Sequence, residues 1–288
     1  MILNLGNIGH FPNMSEFLES NSCEKISAFE QVIFDVRFAI NLLMNSLRVN
    51  AFGIDIKDLE SKLCKIEEYE LRASRKVNAV LRQVGVNFAV EGVENIPSGP
   101  VIFLARHESW WDTVGLQAIL YEHVRREHLA KYLAKKELFE IPLLGKAMYH
   151  AGHIPFDRAR RGSNSQGDIR FVLEQLKRDV IVFVEGTRKQ RGILANPDER
   201  AYHRAMVLAR LKVPLVPVFV SSHSLGREDF STSPKPHLDR RICENTEVQV
   251  RFGRPLTSAE IKNGALERFI HEGVEQFELY PGEKVRYE

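Results

Sequence analysis

Short, β-branched apolar runs separated by helical patterns constrain this chain most. Val101–Ala105, Val180–Val184 and Val213–Val220 are apolar without polar alternation. Such runs read as strands buried on both faces, as in a parallel sheet. Weaker strand-like runs lie at 86–90, 153–156 and 247–252. Between them, apolar residues recur at three-or-four spacing over 110–124, 136–150 (interrupted by Pro142), 166–177 and 198–211. A last helical run, 258–279, opens with the capping box Thr257-x-x-Glu260. Strands alternating with helices predict an α/β fold: a mostly parallel sheet flanked by helices. Pro214 and Pro217 predict that strand 213–220 lies at an edge or a bulge.

A helical hairpin is expected ahead of this pattern, over about 25–84. Its first helix, 28–47, carries Phe29, Val32, Ile33, Val36, Ile40, Leu43 and Leu47 on one stripe. Two roles stay open for that stripe: packing against the chain's own core, or lying in a membrane interface. The second helix, about 56–83, has Leu59, Leu63, Ile66, Val77, Val80 and Leu81 on its apolar side. Its charged middle (Lys65, Glu67, Glu68, Glu70, Arg72, Arg75, Lys76) reads as a solvated face. The expected division is therefore residues 1–84, an N-terminal segment and hairpin, and residues 85–288, the α/β domain.

Composition matters mainly for what it excludes. No run of about 18 uncharged apolar residues occurs, so no spanning helix is expected. A formal net charge of +2 is too balanced for a nucleic-acid binder. Cys23, Cys64 and Cys243 lack metal-ligand spacing, which argues for a reducing compartment and against a zinc site or a disulfide scaffold. No basic region followed by an apolar core opens the sequence, so no secretory signal is expected.

The chemistry gathers where strands end. Directly after Val101–Ala105 comes Arg106-His107-Glu108-Ser109-Trp110-Trp111-Asp112, at the carboxyl end of a strand, where open α/β sheets bind ligands. On one straight helix His107 and Asp112 would diverge by about 140°. They meet if His107 lies in the turn and Asp112 in the first helical turn, with Ser109 as N-cap. A carboxylate on one ring nitrogen fixes the tautomer and makes the other nitrogen a base. The competing role for Asp112 is the acid of a capping box. Trp110 and Trp111 are read chiefly as core residues.

Two more loops follow strands. Phe156-Asp157-Arg158-Ala159-Arg160-Arg161 brings three arginines, and Glu185-Gly186-Thr187-Arg188 brings a tight turn, a hydroxyl and a guanidinium fork. Arg158, Thr187 and Arg188 suit a phosphate, while Glu185 is assigned to holding the loop. No Gly-x-Ser-x-Gly elbow is present, which disfavours a covalent acyl-enzyme, and no Gly-x-x-x-x-Gly-Lys loop is present. A base, an oriented acid and an anion patch fit group transfer to a hydroxyl of a phosphate-bearing molecule.

These blocks resemble, in order, those of the glycerolipid acyltransferases, the family of lysophosphatidic acid and glycerol-3-phosphate acyltransferases. His107 to Asp112 is similar to the family's His-x-x-x-x-Asp signature. Lys136 through Pro142, Gly145 and Gly152 to Arg158 is similar to its second block. Phe183-Val184-Glu185-Gly186-Thr187-Arg188 is similar to its Phe-Pro-Glu-Gly-Thr-Arg block, and Val213–Val218 to its fourth. The resemblance covers about 80–256. It implies a glycerol-3-phosphate acyltransferase-like α/β fold and transfer of a fatty acyl group from an acyl thioester to 1-acylglycerol-3-phosphate. His107 would be the general base and Asp112 its orienting acid. Arg158, Glu185, Gly186, Thr187 and Arg188 would form the acceptor site. No cofactor or metal is implied, only acyl-CoA or acyl carrier protein as donor. The expected setting is peripheral, on the cytoplasmic face of a membrane. Arg106, Val184 and His203 depart from the usual residues, which leaves the acceptor open between 1-acylglycerol-3-phosphate, another lyso-lipid and glycerol 3-phosphate. A binding module that keeps the scaffold without catalysis is the alternative from another class.

Overall fold

The strands order into one seven-stranded sheet, β1-β7-β6-β2-β5-β3-β4. The computed structural model describes residue 44 and residues 59–109, 111–124, 127–157, 165–185, 199–222 and 247–272. The strands are β1 (Asn87–Glu91), β2 (Ile102–Ala105), β3 (Lys131–Lys135), β4 (Ile154–Phe156), β5 (Val180–Phe183), β6 (Leu215–Val220) and β7 (Glu247–Phe252). The helices are α1 (Leu59–Gln83), α2 (Leu116–His123), α3 (Leu144–His150), α4 (Ser165–Glu174), α5 (Glu199–Ala209), α6 (Ser258–Lys262) and α7 (Ala265–Glu272). Short 3-10 turns at Trp111–Thr113 and Lys136–Glu140 lead into α2 and α3.

Every neighbouring pair is parallel except β6 and β7. The fold is thus the mostly parallel, helix-flanked α/β sheet that the strand–helix alternation predicts. The period of two along the strands splits the core into two layers. Phe103 and Ala105 of β2 join Val216, Val218, Trp111 and Leu81 on one face. Ile102 and Leu104 join Val180, Val182 and residues of α4, α5 and α7 on the other.

Three features differ from the sequence reading. β6 is interior, between β7 and β2, and buried throughout. Pro217 fits there because its carbonyl accepts from Gly253 N (3.0 Å). N and C=O of one strand residue face the same side, so the missing N–H faces the point where the β7 ladder has ended, and β2 needs no donor from it. β3 is a strand that the apolar pattern does not reveal, because Lys131 opens it. That lysine is fully buried, with Nζ 2.7 Å from Glu67 of α1. The middle of α1 is correspondingly not all solvated. Glu67 also takes Arg178 (2.9 Å), and Glu70 takes His153 (2.8 Å).

The last helical run is also broken where its period suggests one helix. The Thr257–Glu260 capping box forms as expected, but the helix stops at Asn263 and restarts after Gly264, whose φ of 76° is left-handed. Of the expected helix 28–47 only Met44 lies inside the described residues, in helical conformation and exposed. Among the described residues no helix is long and apolar enough to cross a membrane.

Candidate functional site

Three adjacent strands, β6, β2 and β5, end side by side, and each delivers polar groups to one place. β2 hands over at Arg106 and His107. The chain then turns tightly, with Ser109 Oγ accepting from Trp111 N (3.2 Å), and Asp112 sits in the 3-10 turn, ahead of α2, which begins at Leu116. This places Asp112 below the imidazole. His107 Nδ1 lies 3.1 Å from Asp112 Oδ2. A carboxylate only accepts, so Nδ1 carries a proton, and in the neutral imidazole Nε2 keeps its lone pair.

Asp112 is fully buried, and its charge is met by donors. Oδ2 accepts from Glu108 N (2.7 Å) and Ser109 N (2.9 Å). Oδ1 accepts from Ser222 Oγ and, at 3.4 Å, from Ser109 Oγ. Asp112 therefore does both things that the sequence left as alternatives: it caps the turn through backbone N–H groups and it holds the histidine. The His107 ring stacks on Phe183 of β5 (centroids 4.3 Å apart, planes at 20°). Its side chain is 14% exposed, and among the described residues nothing bonds Nε2.

The surroundings are keyed into this pair. Tyr132 of β3 stacks on Phe183 and donates its hydroxyl to the Asp112 carbonyl (3.2 Å). Burial, and then the charges of Asp112 and Glu70, push the Tyr132 phenol well above its ordinary range, so it stays a donor. Trp111 is fully buried, stacks on Phe88 and donates Nε1 to Asn78 of α1 (2.7 Å). Trp111 is thus core, as read, while Trp110 lies outside the described residues. Arg106 Nη1 pairs with Glu108 Oε1 at 2.6 Å, both buried, and Glu108 Oε2 accepts from Ser222 N (3.1 Å).

Glu185, just past β5, is 1% exposed, and its Oε2 accepts from His107 N at 3.5 Å. It buttresses the histidine's backbone. Arg158, Gly186, Thr187 and Arg188 lie outside the described residues, so only the sequence places them, directly after Asp157 and Glu185. Ser222 and Tyr132 are neighbours that motif reading did not single out, and Phe183 entered it only as the first residue of the third block. The one signal for Ser222 is a polar pair, Ser221-Ser222, at the carboxyl end of an apolar strand. Among the described residues no group of acidic, histidine and cysteine side chains is arranged to hold a metal ion.

Residues 87–221, from β1 through β6, match the family model described as Acyltransferase. That stretch contains all four sequence blocks, and the resemblance to glycerolipid acyltransferases holds through it. The chain is 31% identical over 181 residues to the 1-acyl-sn-glycerol-3-phosphate acyltransferase alpha of Ovis aries, covering 62% of this chain and 57% of that protein. It is 34% identical over 111 residues to the 1-acyl-sn-glycerol-3-phosphate acyltransferase of Pseudomonas aeruginosa, covering 36% of this chain and 38% of that one. With the enzyme of the same name from Saccharomyces cerevisiae it shares 29% over 191 residues, 65% of this chain and 57% of that one. The chain therefore spans a little over half the length of the sheep and yeast relatives. Among solved structures, the 1-acyl-sn-glycerophosphate acyltransferase of Thermotoga maritima superposes with a TM-score of 0.59 at 19% identity, over 89% of this chain and 97% of that one. The likeness at that identity is one of fold.

Proposed function

We propose that this protein is an O-acyltransferase that moves a fatty acyl group from an acyl thioester to the free hydroxyl of 1-acylglycerol-3-phosphate, giving phosphatidic acid. The observation that carries the reading is the His107–Asp112 pair at the carboxyl end of β2, with Nδ1 on the carboxylate at 3.1 Å and Nε2 left as a base. The similarity of residues 87–221 to the acyltransferase model supports the reaction class. The names of the sheep, bacterial and yeast relatives support the acceptor.

In this mechanism Nε2 of His107 takes the proton of the acceptor hydroxyl as its oxygen attacks the thioester carbonyl carbon. Asp112 stabilises the imidazolium that forms. The tetrahedral intermediate collapses with loss of the C–S bond, and the imidazolium returns the proton to the departing thiolate. Arg158, Thr187 and Arg188 hold the acceptor's phosphate, with Glu185 and Gly186 shaping their loop. The donor is acyl-CoA or the acylated form of acyl carrier protein. The acceptor is an amphiphile, so the enzyme works at a membrane surface.

The test is thiol release from palmitoyl-CoA and palmitoyl acyl carrier protein, with 1-acylglycerol-3-phosphate, glycerol 3-phosphate, a neutral lyso-lipid or no acceptor. The expected result is release that requires 1-acylglycerol-3-phosphate and falls about 10²- to 10⁴-fold in His107→Ala. Release without any acceptor would make the protein a hydrolase. Release that follows glycerol 3-phosphate instead would change the acceptor. No release with either donor, from folded protein, would leave the binding module as the reading.

A further inference from the structure

The structure assigns to Ser222 a positioning role: it is the residue that holds the Asp112 carboxylate in line with His107. This rests on the acyltransferase reading above. Ser222 follows β6 and is fully buried. Its hydroxyl donates to Asp112 Oδ1, the oxygen that the histidine does not use, while Oδ2 carries the imidazole. The other donors to Asp112, Glu108 N, Ser109 N and Ser109 Oγ, come from its own turn and move with it. Ser222 reaches it from a different strand. Its backbone is fixed in turn, because Ser222 N donates to Glu108 Oε2 (3.1 Å), and the other oxygen of Glu108 is held by Arg106 (2.6 Å). The loop after β6 is thereby strapped to the loop after β2 at two points. One point is Asp112, and the other is Glu108, which directly follows His107.

Without the Ser222 hydroxyl, Oδ1 keeps only the long contact from Ser109 Oγ (3.4 Å), and every remaining hydrogen bond to the carboxylate except the imidazole's comes from its own turn. Loss of the hydroxyl also concentrates charge on the carboxylate. Charged and titratable groups facing the pair, among the described residues, are Glu185 at the His107 backbone, Tyr132 at the Asp112 carbonyl, and the Glu108–Arg106 pair. None of them replaces a donor to Oδ1. Ser222→Ala therefore leaves Asp112 less well aligned with the imidazole, which alters the His107–Asp112 bond and slows the chemical step.

The experiment compares wild type, Ser222→Ala, Ser222→Thr, Asp112→Asn and the double variant Asp112→Asn/Ser222→Ala in the full chain. Acceptor-dependent thiol release gives kcat, KM and the pH profile. NMR of the histidine ring follows the titration of His107, assigned by its absence in His107→Gln. The expected result in Ser222→Ala is a fall in kcat of about tenfold, the scale of one hydrogen bond to a charged group. KM for both substrates should stay within about twofold, a change small on that scale. The acidic limb of the profile and the NMR titration should move together. Threonine should restore most of the rate, and the alanine change should cost little more once Asp112 is asparagine. Independent, multiplying losses in the double variant, or an unmoved His107 titration, would overturn the assignment. If the wild type releases no thiol, the acyltransferase reading fails, while the NMR titration still decides whether Ser222 acts on His107 through Asp112.

Discussion

At the residue scale the site is held by side chains that have nothing to do with substrate. Asn78 lies in α1, 2% exposed, and accepts from Trp111 Nε1 at 2.7 Å while its amide approaches the Gly115 carbonyl at 3.4 Å. It bridges the start of α2 to the turn that carries Asp112. Asn78→Ala strands a buried indole N–H, and this should cost about 1–3 kcal/mol. The measurement is the urea midpoint at unchanged slope, with kcat beside it, since Trp111 is the residue next to Asp112. Motif reading stops short of such residues. His107 and Asp112 stand out because a histidine and a carboxylate follow an apolar strand at a spacing that only a turn can bring together. Ser222, Tyr132 and Asn78 carry no comparable mark. Their partners lie 110, 20 and 33 positions away, and nothing local in the sequence encodes a contact at that range.

At the scale of elements, α1 is fastened by buried charge as well as by apolar packing. Glu67 faces Lys131 and Arg178, and Glu70 faces His153 and Lys131. Lys131→Met leaves two acids short of a cation in a buried place and should cost about 3–5 kcal/mol, read from thermal or urea unfolding. The pH dependence follows from Glu70. Burial pushes its carboxyl up, but His153 and Lys131 outweigh that and hold it below its usual range. The folded value is the lower one, so the stabilisation is full above the ordinary glutamate value of about 4.3 and is lost as pH falls through the folded value. Wild type should therefore lose its advantage over Glu70→Gln progressively as pH falls below about 4.3, as melting midpoints would record. This network also explains where the sequence misleads. Mixed charges on a helix normally mark its wet face, and a lysine at the head of a run normally argues against a buried strand. Here the two exceptions neutralise each other, which hides β3 and the buried side of α1 together. Strands β2, β5 and β6, free of charge, are legible to within two residues at their ends.

At the scale of the whole molecule, the sheet brings three carboxyl ends together because β2 is flanked by β5 and β6, which come later in the chain. The strand–helix alternation makes the parallel architecture legible, but the order of strands depends on long-range pairing that no periodicity reports. The expected helix 28–47 belongs to this scale. If its apolar stripe seats the enzyme on a bilayer, a folded chain lacking residues 1–50 should bind liposomes more weakly than the full chain in a flotation assay. Equal binding would remove that role. One consequence reaches beyond stability. Glu67 and Glu70 are three residues apart and share Lys131 but otherwise meet different partners, Arg178 and His153, so α1 is keyed like a plug with two pins. A helix greased only by leucines can slide by a turn. This one has a single seat, so charge rather than grease sets the register of α1 against the strand it covers.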